Sequence, residues 1–345
     1  MLERFVFGPH RSGTLGEEPM TVWKSSRSRG LFAAAALTFG LVFAASTRAE
    51  VPESPDPIVL GQLDWTGQEI TMKVAGEILT RMGYKVEYVT TTNVPLFQAV
   101  ADGEIHAYLE QWLVTTRFQF NEMVGKGQLE DIGLLGLLGQ EALFYPSYVE
   151  EKCPGLPNWE ALKGCEELFT TPETAPSGRI VDYPEEWTPD TSKIVDALGL
   201  DFVAVPAGGE GAIIAEVKSA VARNEPVLVY YWEPTWAVLE YDLRAVQLPK
   251  WDEACETDPA WGVNPSKTFD CAPLVPDIKK FVWPGMKDKW PAAYKLLKEF
   301  KFTNADQGPL MKLVDVEGMS AADAAKKWVN ENEATWKPWV DAATM

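Results

Sequence analysis

The chain has 345 residues, of which 46% are hydrophobic and 23% are charged, so it is long enough for one large domain or two lobes of ordinary globular composition. Its formal net charge of -19 argues against binding nucleic acid through a general positive field. Only two histidines occur, which excludes histidine-rich zinc sites and leaves His106 as the one histidine beyond the N-terminal segment. His106 falls in a strand-like run, where we predict a packed or edge residue and not a catalyst.

The N-terminal segment has the pattern of an export signal. Arginines precede an apolar run at 31–46, and a small-x-small sequence at 47–49 follows it. We therefore predict that residues 1–49 are a leader and signal peptide cleaved near Ala49, with Met20 as an alternative start. No later run is apolar enough to span a bilayer, so the mature chain is expected to be a soluble protein of the periplasm.

The four cysteines fit an oxidising compartment and fall into two local pairs, Cys153 with Cys165 and Cys255 with Cys271. Four cysteines allow three connectivities, and local pairing is the simplest, so it is the one predicted here. A metal site of four cysteines is the competing interpretation, but the close spacing that such sites use is missing.

The first elements along the chain predict a β-α-β unit. A buried strand at 58–63 precedes a helix at 67–82, and an alternating strand follows at 84–90. A capping box at 66–69 is expected to begin the helix. Trp65 then lies in the strand-to-helix turn, beside free N–H groups that favour a ligand oxygen. This spacing favours a parallel sheet.

Two later strands each deliver an acid and a tryptophan to their carboxyl ends. The strand at 105–112 carries Glu110 and Trp112 near its end, and a later strand closes with Trp232 and Glu233 where a proline interrupts the ladder. Open α/β sheets bind ligands at the carboxyl ends of their strands. These residues are therefore candidates for a binding site.

The element order predicts an α/β fold of two lobes with a ligand cleft between them. Residues 50–140 and 273–345 are predicted to form lobe one, and residues 141–272 are predicted to form lobe two. A strand near 142–149 would cross into lobe two, and the chain would return after a strand at 245–248. The remaining predicted elements are strands at 129–138 and 201–206 and helices at 94–102, 118–124, 189–198, 212–223, 292–300, 309–316 and 321–336.

An acidic, cysteine-closed insert occupies residues 251–271. It contains Asp252, Glu256, Asp258 and Asp270, a set that could bind calcium but does not follow the spacing of an EF-hand. A solvated acidic loop is the favoured interpretation, since charge runs are usually solvated. No cofactor is expected, and Ca²⁺ is kept as the alternative.

Three short segments carry a resemblance to a known family: DWTGQE at 64–69, LEQW at 109–112 and YYWEPTW at 230–236. In their order and spacing behind an export signal, the chain resembles periplasmic substrate-binding proteins of ABC importers for glycine betaine, choline and trimethylamine N-oxide. The resemblance implies a type II-like two-lobed periplasmic binding protein, a monomer that is not an enzyme. Its implied partners are a small methylated amine and an inner-membrane ABC permease, not nucleic acid.

The resemblance also implies an aromatic box for a trimethylammonium group. Trp65, Trp112 and Trp232 match the box positions, Trp187 is a further candidate, and Tyr148 (or Tyr145) would supply another wall. The physical argument agrees, because a methylated ammonium cannot donate N–H bonds and is recognised by ring faces, with about 0.5–2 kcal/mol per contact.

The acids beside the box bear on the choice of ligand. Glu110 and Glu233 adjoin box tryptophans, and an acidic box disfavours a ligand with an anionic tail. Thr235 stands where some betaine-binding relatives place a histidine near the ligand carboxylate, and the acidic insert looks like that of N-oxide-binding members. Trimethylamine N-oxide is therefore expected ahead of choline or glycine betaine, with Glu110 pairing with the head or bonding a protonated ligand oxygen.

Two other classes of protein remain open at this point. An exported, tryptophan-rich chain could be a secreted carbohydrate-active enzyme or sugar-binding protein, with Glu110 and Glu233 as paired carboxylates. The plainer alternative is a secreted α/β protein whose tryptophans all lie in the core.

Overall fold

Two five-stranded sheets organise the computed structural model, which describes residues 50–345. Sheet one has the order β2-β1-β3-β11-β4 and sheet two the order β10-β5-β9-β7-β8. The strands are β1 Ile58–Gln62, β2 Val86–Thr90, β3 Ala107–Trp112, β4 Glu130–Leu134, β5 Gln140–Pro146, β6 Pro154–Pro157, β7 Gly178–Asp182, β8 Phe202–Pro206, β9 Val229–Glu233, β10 Leu243–Ala245 and β11 Ile278–Val282.

The α-helices pack on these sheets. They are α1 Thr66–Arg81, α2 Asn93–Ala101, α3 Arg117–Gly125, α4 Thr191–Leu198, α5 Glu210–Arg223, α6 Trp236–Glu240, α7 Glu253–Thr257, α8 Met286–Lys289, α9 Pro291–Glu299, α10 Asn304–Asp315, α11 Ala321–Glu331 and α12 Glu333–Ala343. Short 3-10 helices lie at Ser147–Glu151, Trp159–Gly164, Glu166–Phe169 and Glu185–Trp187. None of the helices within 50–345 is long and apolar enough to cross a membrane.

Sheet one begins with the predicted β-α-β unit. β1 pairs in parallel with both β2 and β3, so the expected parallel arrangement is confirmed there. β11 then inserts antiparallel between β3 and β4, which makes the whole sheet mixed. Side chains alternate across β3: Ala107 and Leu109 join the core under α1, whereas Tyr108 joins the core under α2 and α3.

Sheet two is also mixed and has its own core. β7 pairs in parallel with β8 and β9, and β5 pairs antiparallel with β9 and β10. The apolar sides of α4 and α5 cover it, with Ile194 and Ile213 buried. We call each sheet with its packed helices a lobe. The boundaries of lobe two at residues 141 and 272 remain a prediction. All five strands of sheet two lie within 140–245.

Some predictions about helix ends are wrong, among them the start of α10, which lies at Asn304 and not at residue 309. The helix after β1 starts at Thr66, and Trp65 is its N-cap residue. The Trp65 side chain makes no capping hydrogen bond, so the predicted capping box is absent. Gln68 instead bends back, and its Oε1 accepts the backbone N–H of Leu63 at 2.9 Å. The single helix expected at 321–336 is two helices, because the backbone turns at Asn332 between α11 and α12.

Both predicted disulfides are confirmed. Cys153 is bonded to Cys165, which closes a short loop of lobe two. Cys255 is bonded to Cys271, which closes a short loop in the segment that returns to lobe one. The local pairing is therefore the connectivity that the fold adopts. The predicted leader and signal peptide at 1–49 lie outside the described residues.

Candidate ligand-binding site

A small cavity lies between the lobes, and we call it the aromatic pocket. Its volume is about 50 Å³. A single water needs about 10–15 Å³ on this measure, so the cavity fits a compact ligand of a few non-hydrogen atoms. Its lining residues are Trp65, Asn93, Trp112, Tyr183, Trp187 and Trp232.

The four predicted tryptophans reach the aromatic pocket from the ends of four different elements. Trp65 lies in the turn between β1 and α1, and Trp112 is the last residue of β3, so both belong to lobe one. Trp232 lies near the end of β9, and Trp187 ends a 3-10 helix after β7, so both belong to lobe two. The ends of strands from both lobes therefore face one another at this pocket, which is the arrangement expected from the sequence.

Edge-to-face contacts hold the rings in place. The centroids of Trp65 and Trp187 are 5.4 Å apart with the planes at 67°, a contact that joins the two lobes. Trp187 and Trp232 are 5.8 Å apart at 65°, and Tyr183 contacts both of them in the same manner. Contacts of this type are favourable beyond their buried area, and they keep the rings at fixed angles around the cavity.

Carboxylates accept three of the indole N–H groups. The Nε1 atom of Trp187 donates to Oδ1 of Asp64 across the lobes at 2.7 Å. The Nε1 atoms of Trp65 and Trp112 both donate to Oε1 of Glu110, at 3.2 and 3.3 Å. The polar atoms of these rings are therefore already bonded, which leaves their carbon faces to the cavity.

Glu110 lies behind the tryptophans and does not line the cavity. Its second oxygen, Oε2, accepts from Thr71 Oγ1 at 2.6 Å and from Gln307 Nε2 at 2.8 Å. Burial raises the pKa of Glu110, and the donated bonds oppose that rise. The side chain therefore fixes two ring positions and contributes an acidic group directly behind the pocket. Glu110 can reach the indole of Trp112 because residues two apart on β3 lie on the same face of the strand.

Two residues of the aromatic pocket were missed by the sequence reasoning. Asn93 is the first residue of α2, and Tyr183 directly follows β7. Both are buried, and neither Asn93 Oδ1 nor the Tyr183 hydroxyl has a hydrogen-bond partner among the described residues. Buried polar atoms are normally paired, so these two are available to a polar atom of a ligand. Tyr183 lies at the carboxyl end of β7, a strand that was not predicted from the sequence.

Two predicted site residues do not reach the pocket. The Tyr148 hydroxyl donates to the carbonyl of Glu225 at 2.8 Å, away from the cavity. Glu233 accepts from Gln140 Nε2 at 2.5 Å and lines a separate surface groove. Adjacent residues of a strand point to opposite faces, so Glu233 must turn away when Trp232 faces the pocket.

Two basic residues outside the aromatic pocket have structural partners. Arg179 pairs with Glu216 on lobe two and does not line the aromatic pocket. His106 is buried, and its Nδ1 accepts the backbone N–H of Val59 at 2.8 Å. Burial lowers its pKa to about 4, so it is a neutral, packed residue as predicted.

The acidic insert does not assemble a metal site. In the described part of the chain no three His, Cys, Asp or Glu side chains converge in a way that could hold a metal. Asp252 and Asp258 accept nearby backbone N–H groups, and Glu256 pairs with Arg117. Asp270 is fully buried and accepts the backbone N–H of Asn264. The prediction of a solvated loop is therefore wrong for Asp270. The alternative prediction of a calcium site has no group of converging ligands among the described residues.

The fold defines the class of protein. The structure is similar to the glycine betaine/L-proline-binding protein ProX of Borrelia burgdorferi, with a TM-score of 0.67, 21% identity, and coverage of 84% of this chain and 100% of that one. It is also similar to an ABC-transporter choline-binding protein in complex with choline, with a TM-score of 0.65, 18% identity, and coverage of 84% and 93%. The chain thus has the two-lobed α/β fold of a periplasmic binding protein.

The sequence places it in a family within that class. A family model described as the substrate binding domain of the ABC-type glycine betaine transport system matches residues 56–331, and the chain belongs to this family. It is 32% identical over 296 residues to the trimethylamine N-oxide-binding protein of Pelagibacter ubique (strain HTCC1062), a match that covers 83% of this chain and 91% of that one. The chain is therefore a solute-binding component of ABC import for quaternary ammonium compounds and not an enzyme, which removes the carbohydrate-active enzyme alternative.

Proposed function

We propose that this protein captures a methylated ammonium osmolyte in the aromatic pocket, with trimethylamine N-oxide ahead of choline and glycine betaine. The observation that carries the proposal is the convergence of Trp65, Trp112, Trp187 and Trp232 from two lobes on one small cavity. Ring faces attract a desolvated methylated cation by about 0.5–2 kcal/mol each. Several such contacts can support micromolar binding, about -8 kcal/mol, after the costs of association.

The polarity of the pocket favours a ligand with a polar atom close to its methylated nitrogen. The cavity of about 50 Å³ accommodates a compact trimethylated head group. Trimethylamine N-oxide is a trimethylated nitrogen with one oxygen attached directly to it, so it needs ring faces and a nearby polar partner. The Tyr183 hydroxyl can donate to that oxygen, and the amide of Asn93 lies in the same lining.

The charges around the pocket disfavour an anionic tail. Among the described residues, no Lys, Arg or His lines the pocket, and Glu110 lies behind Trp65 and Trp112. A carboxylate such as that of glycine betaine would lose its water shell beside an acid, without a cation to compensate. The acidic group of Glu110 instead favours the positive nitrogen of the ligand.

Family membership and the N-terminal pattern support a proposal for the cellular setting. The chain is proposed to be exported by a signal peptide cleaved near Ala49 and to act in the periplasm as a monomer. It would deliver its ligand to an inner-membrane ABC permease. The relative that shares 32% identity is named for trimethylamine N-oxide, which supports that ligand over the others.

Calorimetric titration of the mature protein with trimethylamine N-oxide, choline, glycine betaine and a neutral sugar tests the proposal. We expect micromolar binding of trimethylamine N-oxide, weaker binding of choline, and the weakest binding of betaine among the three amines. Tryptophan emission should shift with the same ligands, because they contact indole rings directly. Binding of the sugar with no response to any methylated amine would overturn the proposal.

A further inference from the structure

The first turn of α1 is capped by the opposite lobe. Trp65, the N-cap residue, contributes no side-chain cap. The backbone N–H of Thr66 donates instead to Oε2 of Glu210 at 2.9 Å, although these residues are 144 positions apart in the chain. Glu210 is the first residue of α5 in lobe two and is only 4% exposed. A carboxylate from lobe two therefore occupies the N-terminus of a helix of lobe one, where a negative charge is stabilised.

Further bonds extend this contact into a chain that crosses between the lobes twice. The Tyr231 hydroxyl of β9 donates to Oε1 of Glu210 at 3.1 Å. Thr66 Oγ1 donates to Oδ1 of Asp315 at the end of α10, at 2.6 Å, and Trp236 Nε1 donates to Oδ2 of Asp315 at 2.7 Å. We call Tyr231, Glu210, Thr66, Asp315 and Trp236 the carboxylate bridge. Within the carboxylate bridge, Glu210 is buried and Asp315 is exposed at the surface.

The carboxylate bridge adjoins the aromatic pocket on both lobes. Thr66 directly follows Trp65, and Tyr231 directly precedes Trp232. Separation of the lobes would remove Glu210 from the N–H of Thr66 and would also part the Trp65 and Trp187 rings. The carboxylate bridge and the aromatic pocket therefore both depend on contact between the same two lobes.

We propose that Glu210 is a positioning residue for ligand capture, which holds the lobes together over the ligand by capping α1 from the opposite lobe. This inference rests on the proposed function, since it assigns the carboxylate bridge a role in retaining a ligand in the aromatic pocket. Glu210 does not touch the ligand, so its effect acts through the closed arrangement of the lobes. The dissociation rate of the ligand should respond more than its association rate.

Substitutions at Glu210 separate the capping bond from other effects. Glu210→Ala removes both acceptor oxygens, and we expect trimethylamine N-oxide to dissociate about tenfold faster, the change that corresponds to 1.4 kcal/mol. Glu210→Gln keeps one oxygen for the Thr66 N–H and should recover most of the affinity. Glu216→Ala is the matched control, because Glu216 lies on the same helix and its side chain is 45% exposed. This variant should bind the ligand as the unmodified protein does.

Substitutions at Thr66 test the other partner of the same bond. Thr66→Pro removes the N–H, and proline is favoured at the first position of a helix. Trp65 already has the extended backbone, with φ -114° and ψ 148°, that a residue before proline adopts. Thr66→Ala keeps the N–H and removes only the hydroxyl, with its bond to Asp315. We expect the proline variant to release ligand several-fold faster than the alanine variant.

Stopped-flow fluorescence measures the dissociation rates, and small-angle scattering of the ligand-free proteins measures lobe separation without any ligand. A larger radius of gyration and faster dissociation for Glu210→Ala are the expected results. Unchanged dissociation and an unchanged radius of gyration would overturn the role of Glu210. If the unmodified protein bound no methylated amine, the proposed function would fail, and a scattering difference alone would then decide whether Glu210 holds the lobes together.

Discussion

At the scale of single residues, the site depends on the direction in which each side chain points. Trp112 and Glu110 are two apart on β3 and share a face, so the carboxylate can accept the indole N–H at 3.3 Å. Trp232 and Glu233 are adjacent on β9 and diverge, so only the tryptophan lines the pocket. Because side chains alternate between the two faces of a strand, Glu110 can influence the ligand and Glu233 cannot.

Truncation of a pocket wall is the most direct residue-level test. We expect Trp232→Ala to weaken binding of trimethylamine N-oxide at least about tenfold, because it removes both ring contact and buried apolar surface. Trp232→Phe should retain part of the affinity, since it keeps a ring face. Calorimetry measures the loss, and Trp261→Ala, in the insert and outside the pocket lining, is the control. Normal binding by Trp232→Ala would assign the residue to the core alone.

Tyr183→Phe probes recognition of the ligand oxygen without disturbing the packing. The hydroxyl has no partner among the described residues, so its removal should leave the melting temperature of the ligand-free protein unchanged or slightly raised. If the hydroxyl donates to the ligand, affinity for trimethylamine N-oxide should fall by about 0.5–1.5 kcal/mol, or roughly two- to tenfold. Equal affinity in the two proteins would exclude this hydroxyl from recognition.

At the scale of elements, the connection from β4 to β5 passes very close to the pocket. A Cβ atom on Gly139 would lie 2.4 Å from the indole of Trp112 and 2.8 Å from the carbonyl oxygen of Glu233. No side chain other than hydrogen fits between these two groups. The segment that joins the lobes therefore sets the position of one pocket wall.

Gly139→Ala should consequently weaken ligand binding and stability together. The added methyl group must displace either the Trp112 ring or the backbone of β9, and overpacking of this kind costs about 1–3 kcal/mol. Gly125→Ala, in α3, is the matched control because a Cβ there meets nothing within 4 Å. Thermal unfolding with and without ligand measures both effects. An unaltered affinity would show that Trp112 can shift without consequence.

At the scale of the whole molecule, buried acids couple stability to pH in a chain of net charge -19. Burial, with the nearby charge of Asp315, raises the pKa of Glu210 from 4.5 to about 7. Burial likewise raises the pKa of Asp182 from 3.8 to about 6, although it accepts bonds from Thr191 and from the backbone of Tyr183. Each acid therefore holds its proton more tightly in the folded protein than in the unfolded chain.

The free energy of unfolding should consequently fall as the pH rises from about 5 to 7. Folding takes up protons in that interval, because the folded pKa values lie above the unfolded ones, and this stabilisation is lost once the pH exceeds the folded pKa. Denaturant unfolding at a series of pH values measures the slope. Glu210→Gln, which removes the titrating group that faces Asp315 and Tyr231, should flatten it. A stability that rises over the same interval would contradict the assignment.

Much of the framework could be predicted from local patterns. The β-α-β unit, the positions of Trp65, Trp112 and Trp232 at strand ends, and the pairing of Cys153 with Cys165 follow from strand periodicity and short cysteine spacing. Trp187 was a candidate only through the family resemblance. These features depend on interactions between residues close in the chain, which a sequence displays directly. The cap of α1 by Glu210 could not be read in this way, because its two partners are 144 positions apart.

The sequence by itself determined that this is a two-lobed α/β protein with tryptophans at its strand ends and two short-range disulfides. Only the tertiary structure decided that Asn93 and Tyr183 join the aromatic pocket, that Tyr148 and Glu233 face elsewhere, and that the acids of the insert diverge. The physical reason is that composition and periodicity act along the chain, whereas a binding cavity depends on distances between lobes. Those distances arise when burial and hydrogen bonding bring remote segments together.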